Sequence, residues 1–410
     1  MKFKLSKNQT HAGNADAAAV SHDFADEKSN NGTQNEAFYF LNIFKPRGIT
    51  SFDVVYKLRK RLKIKKIGHS GTLDPLAEGV MQVGVGKATR LLDYLGSDKK
   101  YVAKIRFGYF SSTADAEGDI TQFNIPNFTK DDLLCALKSM EGQIEQIPPA
   151  YSAVKVGGKK LCDLARKKEK NKKGGKNGAF EKLPDWAENT KYNESGQVST
   201  CENQNTEPNF TASKNQNATS EGDLDVLIQN MNTELLGFEI PKRQVQIYEA
   251  KLLNFVTISA PKNSTSENST PKISASENPE EKIPFEAEVE IFCSKGTYIR
   301  TFALDLAKKL GTAAYLTSLV RTQAGNFNVT NSKTTDEIIP AEHAIKPHLA
   351  LDLPFYELNE EEYKKVLNGV SFVPRELELK NSDLMLIFQN NLVSIGVLSD
   401  NKIVCKKVFK

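Results

Sequence analysis

Apolar and polar positions recur along this chain with two periods, and each predicts a kind of element. "FYFLNIF" (38–44) is a nearly unbroken apolar run before the turn residues Pro46–Gly48, which predicts a buried strand. Ser51 then stands where a helix cap belongs, ahead of apolar positions Val54, Val55, Leu58 and Leu62 at helical spacing. Tyr101, Ala103, Ile105 and Phe107 alternate in "YVAKIRFGYF" and predict a strand. Thr129 and Asp132 make a capping-box start for a helix over "KDDLLCALKSMEG", ended by Gly142.

"RQVQIYEAKLLNF" and "FEAEVEIFCSKGTYIR" both read as strands. The helix predicted over 298–311 lines up Ile299, Phe302, Ala303, Leu306 and Leu310, with Lys308 and Lys309 in its last turn and Gly311 as its stop. The final 75 or so residues read as short strands divided by Asn- and Gly-containing turns, a small β module. Residues 1–37 have no apolar periodicity and read as a disordered tail. Low-complexity text fills about 167–238, with the only tryptophan, Trp186, and 259–284. Strands flank both, so the two patches read as loop insertions into one sheet domain.

Composition adds a charge pattern. The formal net charge is only +4, but "KLRKRLKIKK" (57–66) holds seven basic residues and "ARKKEKNKKGGKNG" (165–178) is a second basic run. The first run suggests a phosphate-bearing partner, and the second, broken by Gly and Asn, reads as solvated surface. Five cysteines without CxxC spacing read as free thiols of a reducing compartment. The absence of an apolar run near 18 residues argues against a membrane span, and the chain reads as cytoplasmic.

Several familiar chemistries fail on spacing. "VGVGKATR" has Met81 and Ala88 where a phosphate loop needs Gly and Ser or Thr. "DAEGD" (115–119) lacks the spacing of a calcium loop, and no two histidines pair at i,i+4. Asp74, in "KKIGHSGTLDPLAEGV", remains. Asp-Pro initiates turns, so a plain turn aspartate satisfies the local pattern. Gly68, Gly71, Thr72 and Gly79 instead suggest a backbone that runs close to a ligand. A carboxylate can serve as a nucleophile if a cation keeps it ionised, and Arg300 is the best candidate. Spacing leaves open whether the two meet.

"GHSGTLDPLAEGVMQVGVGKATR" resembles the signature of the bacterial TruB-type tRNA pseudouridine-55 synthases. "FLNIFKPRGITSFDVV", "SDKKYVAKIRFG", "STADAEGD", "PPAYSAVKVGGKKL" and "SKGTYIRTFALDLAKKLGTAAYLTSLVRTQAGNF" resemble further segments of that family, in its order. The likeness spans 38–166 and 239–330. It implies an α+β pseudouridine-synthase fold, with a mixed or antiparallel central sheet flanked by helices over 38–335 and a PUA-like β module over 336–410.

By the same resemblance Asp74 is the nucleophile, and Tyr101 packs against the target base and is a candidate for proton transfer from C5. Arg300 pairs with Asp74 and with Asp115. His69, Tyr298 and Leu319 line the uridine pocket, while Lys45 and the basic helix 52–66 contact RNA backbone. The substrate is the T-arm stem-loop of tRNA, bound by a monomer with no cofactor, metal, guide RNA or protein partner. Cys162, Lys167 and Val320 depart from the family's usual Tyr, Gly and Arg. An RNA-binding protein of the same fold without turnover, and a guide-dependent synthase, are the two rival readings.

Overall fold

The computed structural model describes residues 37–152, 154–165, 167, 238, 240–256, 285–375 and 382–410. The expected tail over 1–37 and the expected insertions at 167–238 and 259–284 lie outside these residues, apart from Ala37, Lys167 and Phe238.

Strand β1 (Phe38–Lys45) feeds helix α1 (Ser51–Leu62) through the expected turn. The cap is Thr50, one residue earlier than expected: its hydroxyl accepts from the Asp53 amide, and Asp53 reciprocates. Ser51 is thereby freed for another task. Strands β2 (Ile67–Ser70), β3 (Glu78–Gly86) and β4 (Lys99–Phe107) follow, with a 3-10 helix at Lys87–Tyr94 between the last two. A hairpin of β5 (Tyr109–Ser111) and β6 (Ile120–Gln122) carries the acidic turn. Thr129 caps α2 (Lys130–Ser139) through the expected capping box. Gly142, expected as that helix's stop, instead opens β7 (Gly142–Gln146).

After the small hairpin β8 (Lys155–Val156) and β9 (Lys159–Lys160) come β10 (Arg243–Val256) and β11 (Glu286–Cys293). Helix α3 (Ile299–Lys309), strand β12 (Ala314–Ala324) and the short β13 (Phe327–Asn328) complete this part of the chain.

The central sheet runs β1-β3-β12-β4-β11-β10-β7, with β2 beside β3 and β13 beside β12. Every pairing is antiparallel except β3 with β12, a parallel contact of two residue pairs. Both β10 and β11 belong to this sheet and pair with each other. Helices α2 and α3 bury Leu133, Leu137, Phe302 and Leu306 against Ile105, Phe107, Val289 and Ile291. Helix α1 buries Val54, Val55 and Leu58 against β1 and β3.

The C-terminal sheet runs β14 (Phe355–Glu357), β15 (Asp383–Phe388), β16 (Asn391–Ser399) and β17 (Lys402–Val408), with α4 (Glu360–Leu367) packed on it. Its two hairpin turns are Gln389–Asn390 and Asp400–Asn401, each with positive φ at both central residues, the geometry that matches strand twist. The glycine expected in a turn, Gly396, lies within β16. Met385, Ile387, Leu392, Ile395 and Phe409 share a core with Phe40, Val80, Ala88 and Leu91 of the first part. Burial of each of the large apolar side chains among these contributes about 1.5–3 kcal/mol, so the two sheets are docked rather than merely tethered. No helix among the described residues is long and apolar enough to cross a membrane.

Candidate active site

Asp74 sits in the loop between β2 and β3, and that loop is tied down residue by residue. The Ser51 hydroxyl accepts from the Leu73 amide at 2.9 Å and donates to the Leu73 carbonyl at 3.0 Å. The Gly48 amide donates to the Pro75 carbonyl, and the Ala77 amide to the Asp74 carbonyl. Arg321 donates from a terminal guanidinium nitrogen to the Gly71 carbonyl at 3.0 Å. Gly71 has φ of +77°, the left-handed region that favours glycine.

Lys45 completes these ties. It was expected to reach RNA backbone, but its side chain is fully buried and donates to the carbonyls of Pro46, Ile49 and Pro75. Burial lowers its pKa to about 8, with Asp74 opposing the shift. A lysine with three internal acceptors works as a staple between the β1 turn and the Asp74 loop.

Arg300 meets Asp74. Its Nε lies 3.0 Å from Asp74 Oδ2, and the pair is asymmetric: the arginine side chain is 6% exposed, the aspartate 38%. The guanidinium also donates to the carbonyls of Thr113 at 3.2 Å and Tyr151 at 2.9 Å. Asp115, itself buried, lies 3.8 Å away on the other side. Thr113 and the Glu117 amide hold the remaining Asp115 oxygen. The acidic turn thus helps to fix the arginine. Glu117, nearby, is shifted upward by burial and by Asp115 and Asp74.

Tyr101 and Leu319 belong to the buried cluster below α3, together with Leu73 and Leu76 of the Asp74 loop. Burial pushes the Tyr101 hydroxyl up, opposed by the charge of Arg321. His69 lies on β2 opposite Val83; burial, then Arg321, lower its pKa, so the ring is neutral near pH 7. Its Nδ1 has no hydrogen-bond partner among the described residues. Tyr298 caps α3 and exchanges two backbone hydrogen bonds with the Gln146 side chain. Burial raises the Tyr298 hydroxyl, and the charges of Arg300 and Asp74 both act on it.

Sequence reasoning missed Arg321. Its side chain is almost wholly buried, with Nε donating to the Val80 carbonyl at 2.7 Å. The departure at Val320 is one residue away, but strand alternation turns Val320 to the other face, away from Leu319 and Arg321. That alternation was the available signal: a pocket leucine at 319 puts residue 321 on its own face. Cys162 is half-buried, its amide bonded to the Ser152 carbonyl, beside a small core of Ala150, Val154, Leu161 and Ile240. Lys167 is exposed. In the basic helix Arg59 and Arg61 donate inward to the carbonyls of Ile67 and Ile338. Lys57, Lys60, Lys63, Lys65 and Lys66 are exposed.

A family model described as TruB family pseudouridylate synthase, N-terminal domain, matches residues 59–183. Among solved structures, a Cbf5-Nop10-Gar1 complex contains a chain with a TM-score of 0.52 and 19% identity, covering 92% of this chain and 85% of that one. The fold is that of the pseudouridine synthases. The tRNA pseudouridine synthase B of Caldanaerobacter subterraneus subsp. tengcongensis is 30% identical over 374 residues, covering 90% of this chain and 98% of the relative. That of Streptococcus mutans is 32% identical over 386 residues, with the same coverage. The chain belongs to the TruB family of pseudouridylate synthases.

Proposed function

We infer that this chain converts uridine 55 in the T-arm loop of tRNA to pseudouridine. The observation that carries this reading is the 3.0 Å contact between the buried Arg300 and a half-exposed Asp74. The reaction breaks the N1–C1′ bond, turns the base and joins C5 to C1′. No group is imported and nothing is oxidised, so side chains suffice. Asp74 acts on the ribose of the everted nucleotide. Arg300 holds the carboxylate aimed, and Asp115 supports Arg300.

Eversion costs a few kcal/mol. The Tyr101 ring, lying under the base, offsets it at about 1–3 kcal/mol, and its hydroxyl serves proton transfer from C5. His69, Tyr298 and Leu319 form the rest of the uridine pocket. The exposed lysines of α1 and of the segment after it face phosphates, and residues 336–410 form a PUA-like module that binds RNA. The enzyme works in the cytoplasm, as a monomer, without guide RNA or protein partner.

The test is tritium release from [5-³H]uridine-labelled T-arm stem-loop by the purified chain alone. Release by the wild type, and none by Asp74→Asn at unchanged RNA affinity, is expected. Wild-type release only after a guide RNA or partner protein is added would establish the ribonucleoprotein reading instead. Full binding with no release under any condition would make the chain an RNA-binding protein.

A further inference from the structure

Arg321 is the one arginine of the site with no step assigned to it. Its side chain is about 1% exposed, and among the described residues no carboxylate forms an ion pair with it. A buried guanidinium without an acid is costly, so what it holds matters. It holds two carbonyls. Nε donates to the Val80 carbonyl at 2.7 Å and a terminal nitrogen donates to the Gly71 carbonyl at 3.0 Å, while the charge of the group acts on the Tyr101 hydroxyl.

The backbone puts it there. Arg321 lies directly opposite Tyr101 in the β12–β4 pairing, at the edge of a bulge, and opposite Gly79 in the short parallel contact with β3. A Cβ at Gly79 would come within 2.3 Å of the Arg321 carbonyl, so glycine is required for this approach. One planar group therefore spans β3, β4 and the start of the Asp74 loop.

We propose that Arg321 is a positioning residue that locks the Tyr101 hydroxyl to the Gly71 carbonyl, so that the ring under the target base and the loop carrying Asp74 keep one spacing. This rests on the isomerase reading. During that reaction the detached base must turn until C5 faces C1′, and nothing covalent then fixes its distance from the carboxylate. A platform registered to the Asp74 loop supplies that constraint. A lysine, with one point charge and no planar fork, cannot hold both carbonyls at these angles and still reach the hydroxyl.

The test is a double-substitution cycle in the full chain: Arg321→Lys, Arg321→Gln, Tyr101→Phe and both doubles. Rates are read as tritium release from the labelled stem-loop with enzyme in excess, alongside melting temperatures. In the wild-type background either Arg321 change should slow release about 10²-fold, the loss typical of a catalytic group displaced by an ångström. In the Tyr101→Phe background the same change should cost less than about tenfold, because coupled groups do not add. Should Arg321→Gln fail to fold, Arg321→Lys decides the matter. Equal losses in both backgrounds, or an unchanged wild-type rate, would overturn the proposal. A wild-type chain that releases no tritium would instead refute the isomerase reading, and this inference with it.

Discussion

Two arginine–carboxylate pairs in this molecule have almost the same length and opposite exposure. In the candidate active site, Arg300 and Asp74 meet at 3.0 Å with the cation buried and the acid open. In the C-terminal sheet, Arg375 and Glu362 meet at 3.1 Å with the acid 8% exposed and the cation 57%. Saturation separates them further. Glu362 uses both oxygens: Oε1 accepts from the Tyr356 hydroxyl and Arg375, and Oε2 from the Asn359 amide and Arg375. The ion pair at Asp74 engages Oδ2 alone. A carboxylate with all its acceptor sites filled is structural; one held at a single oxygen retains capacity for a substrate.

The same substitutions made in both pairs sharpen this contrast. Asp74→Asn should abolish tritium release, whereas Glu362→Gln should leave the rate at saturating RNA unchanged; a Glu362 variant as inactive as the Asp74 one would break the distinction. Arg300→Lys removes the planar fork and should slow release about 10²–10³-fold, as loss of a fixed electrostatic contact does. Its counterpart Arg375→Lys should leave single-turnover rates intact.

Effects next become smaller. Ser51→Ala strips the Leu73 backbone of both its side-chain ties. It should slow release about tenfold through loop displacement and lower stability by about 1–3 kcal/mol in urea melts. Glu362→Gln should cost stability in the same range of about 1–3 kcal/mol, with no kinetic partner to that loss.

The smallest effect concerns pH. Folding holds Lys45 at about 8 against an ordinary 10.5, so between those values the unfolded chain binds more protons than the folded one. Stability should therefore rise with pH across that window, and Lys45→Met should show a flatter profile. Urea midpoints for both proteins from pH 8 to 10.5 check the sign; parallel profiles would mean Lys45 is not titrating there.

Local chemistry made much of this legible. The capping box at Thr129 and Asp132, the alternation of 243–256 and 286–293, and the amphipathic helix ending at Lys309 each declare themselves within a dozen residues. The motif around Asp74 marked the loop, and the arginine nominated for it stands beside it. What stayed hidden depends on distant partners. Lys45 reads as exposed because lysine usually is; only the fold brings Pro75 to its amine. Arg321 gains its place from a parallel contact between strands some 240 residues apart, a pairing no local periodicity announces. Ser51 looked like a cap because serine and threonine are both good ones; the choice of Thr50 is settled by Leu73, 22 residues on.

The register of β11 has a practical consequence. Tyr101 pairs with Ile291, while the strand begins at Glu286, opposite Arg106. Five strand residues separate the two levels, roughly 17 Å at 3.4 Å per residue. The connection between Val256 and Glu286 therefore starts and ends at that distance along the sheet from Tyr101. This makes it a natural splice point, where a fluorescent reporter or affinity handle could replace residues 259–284 while the isomerisation machinery stays in register.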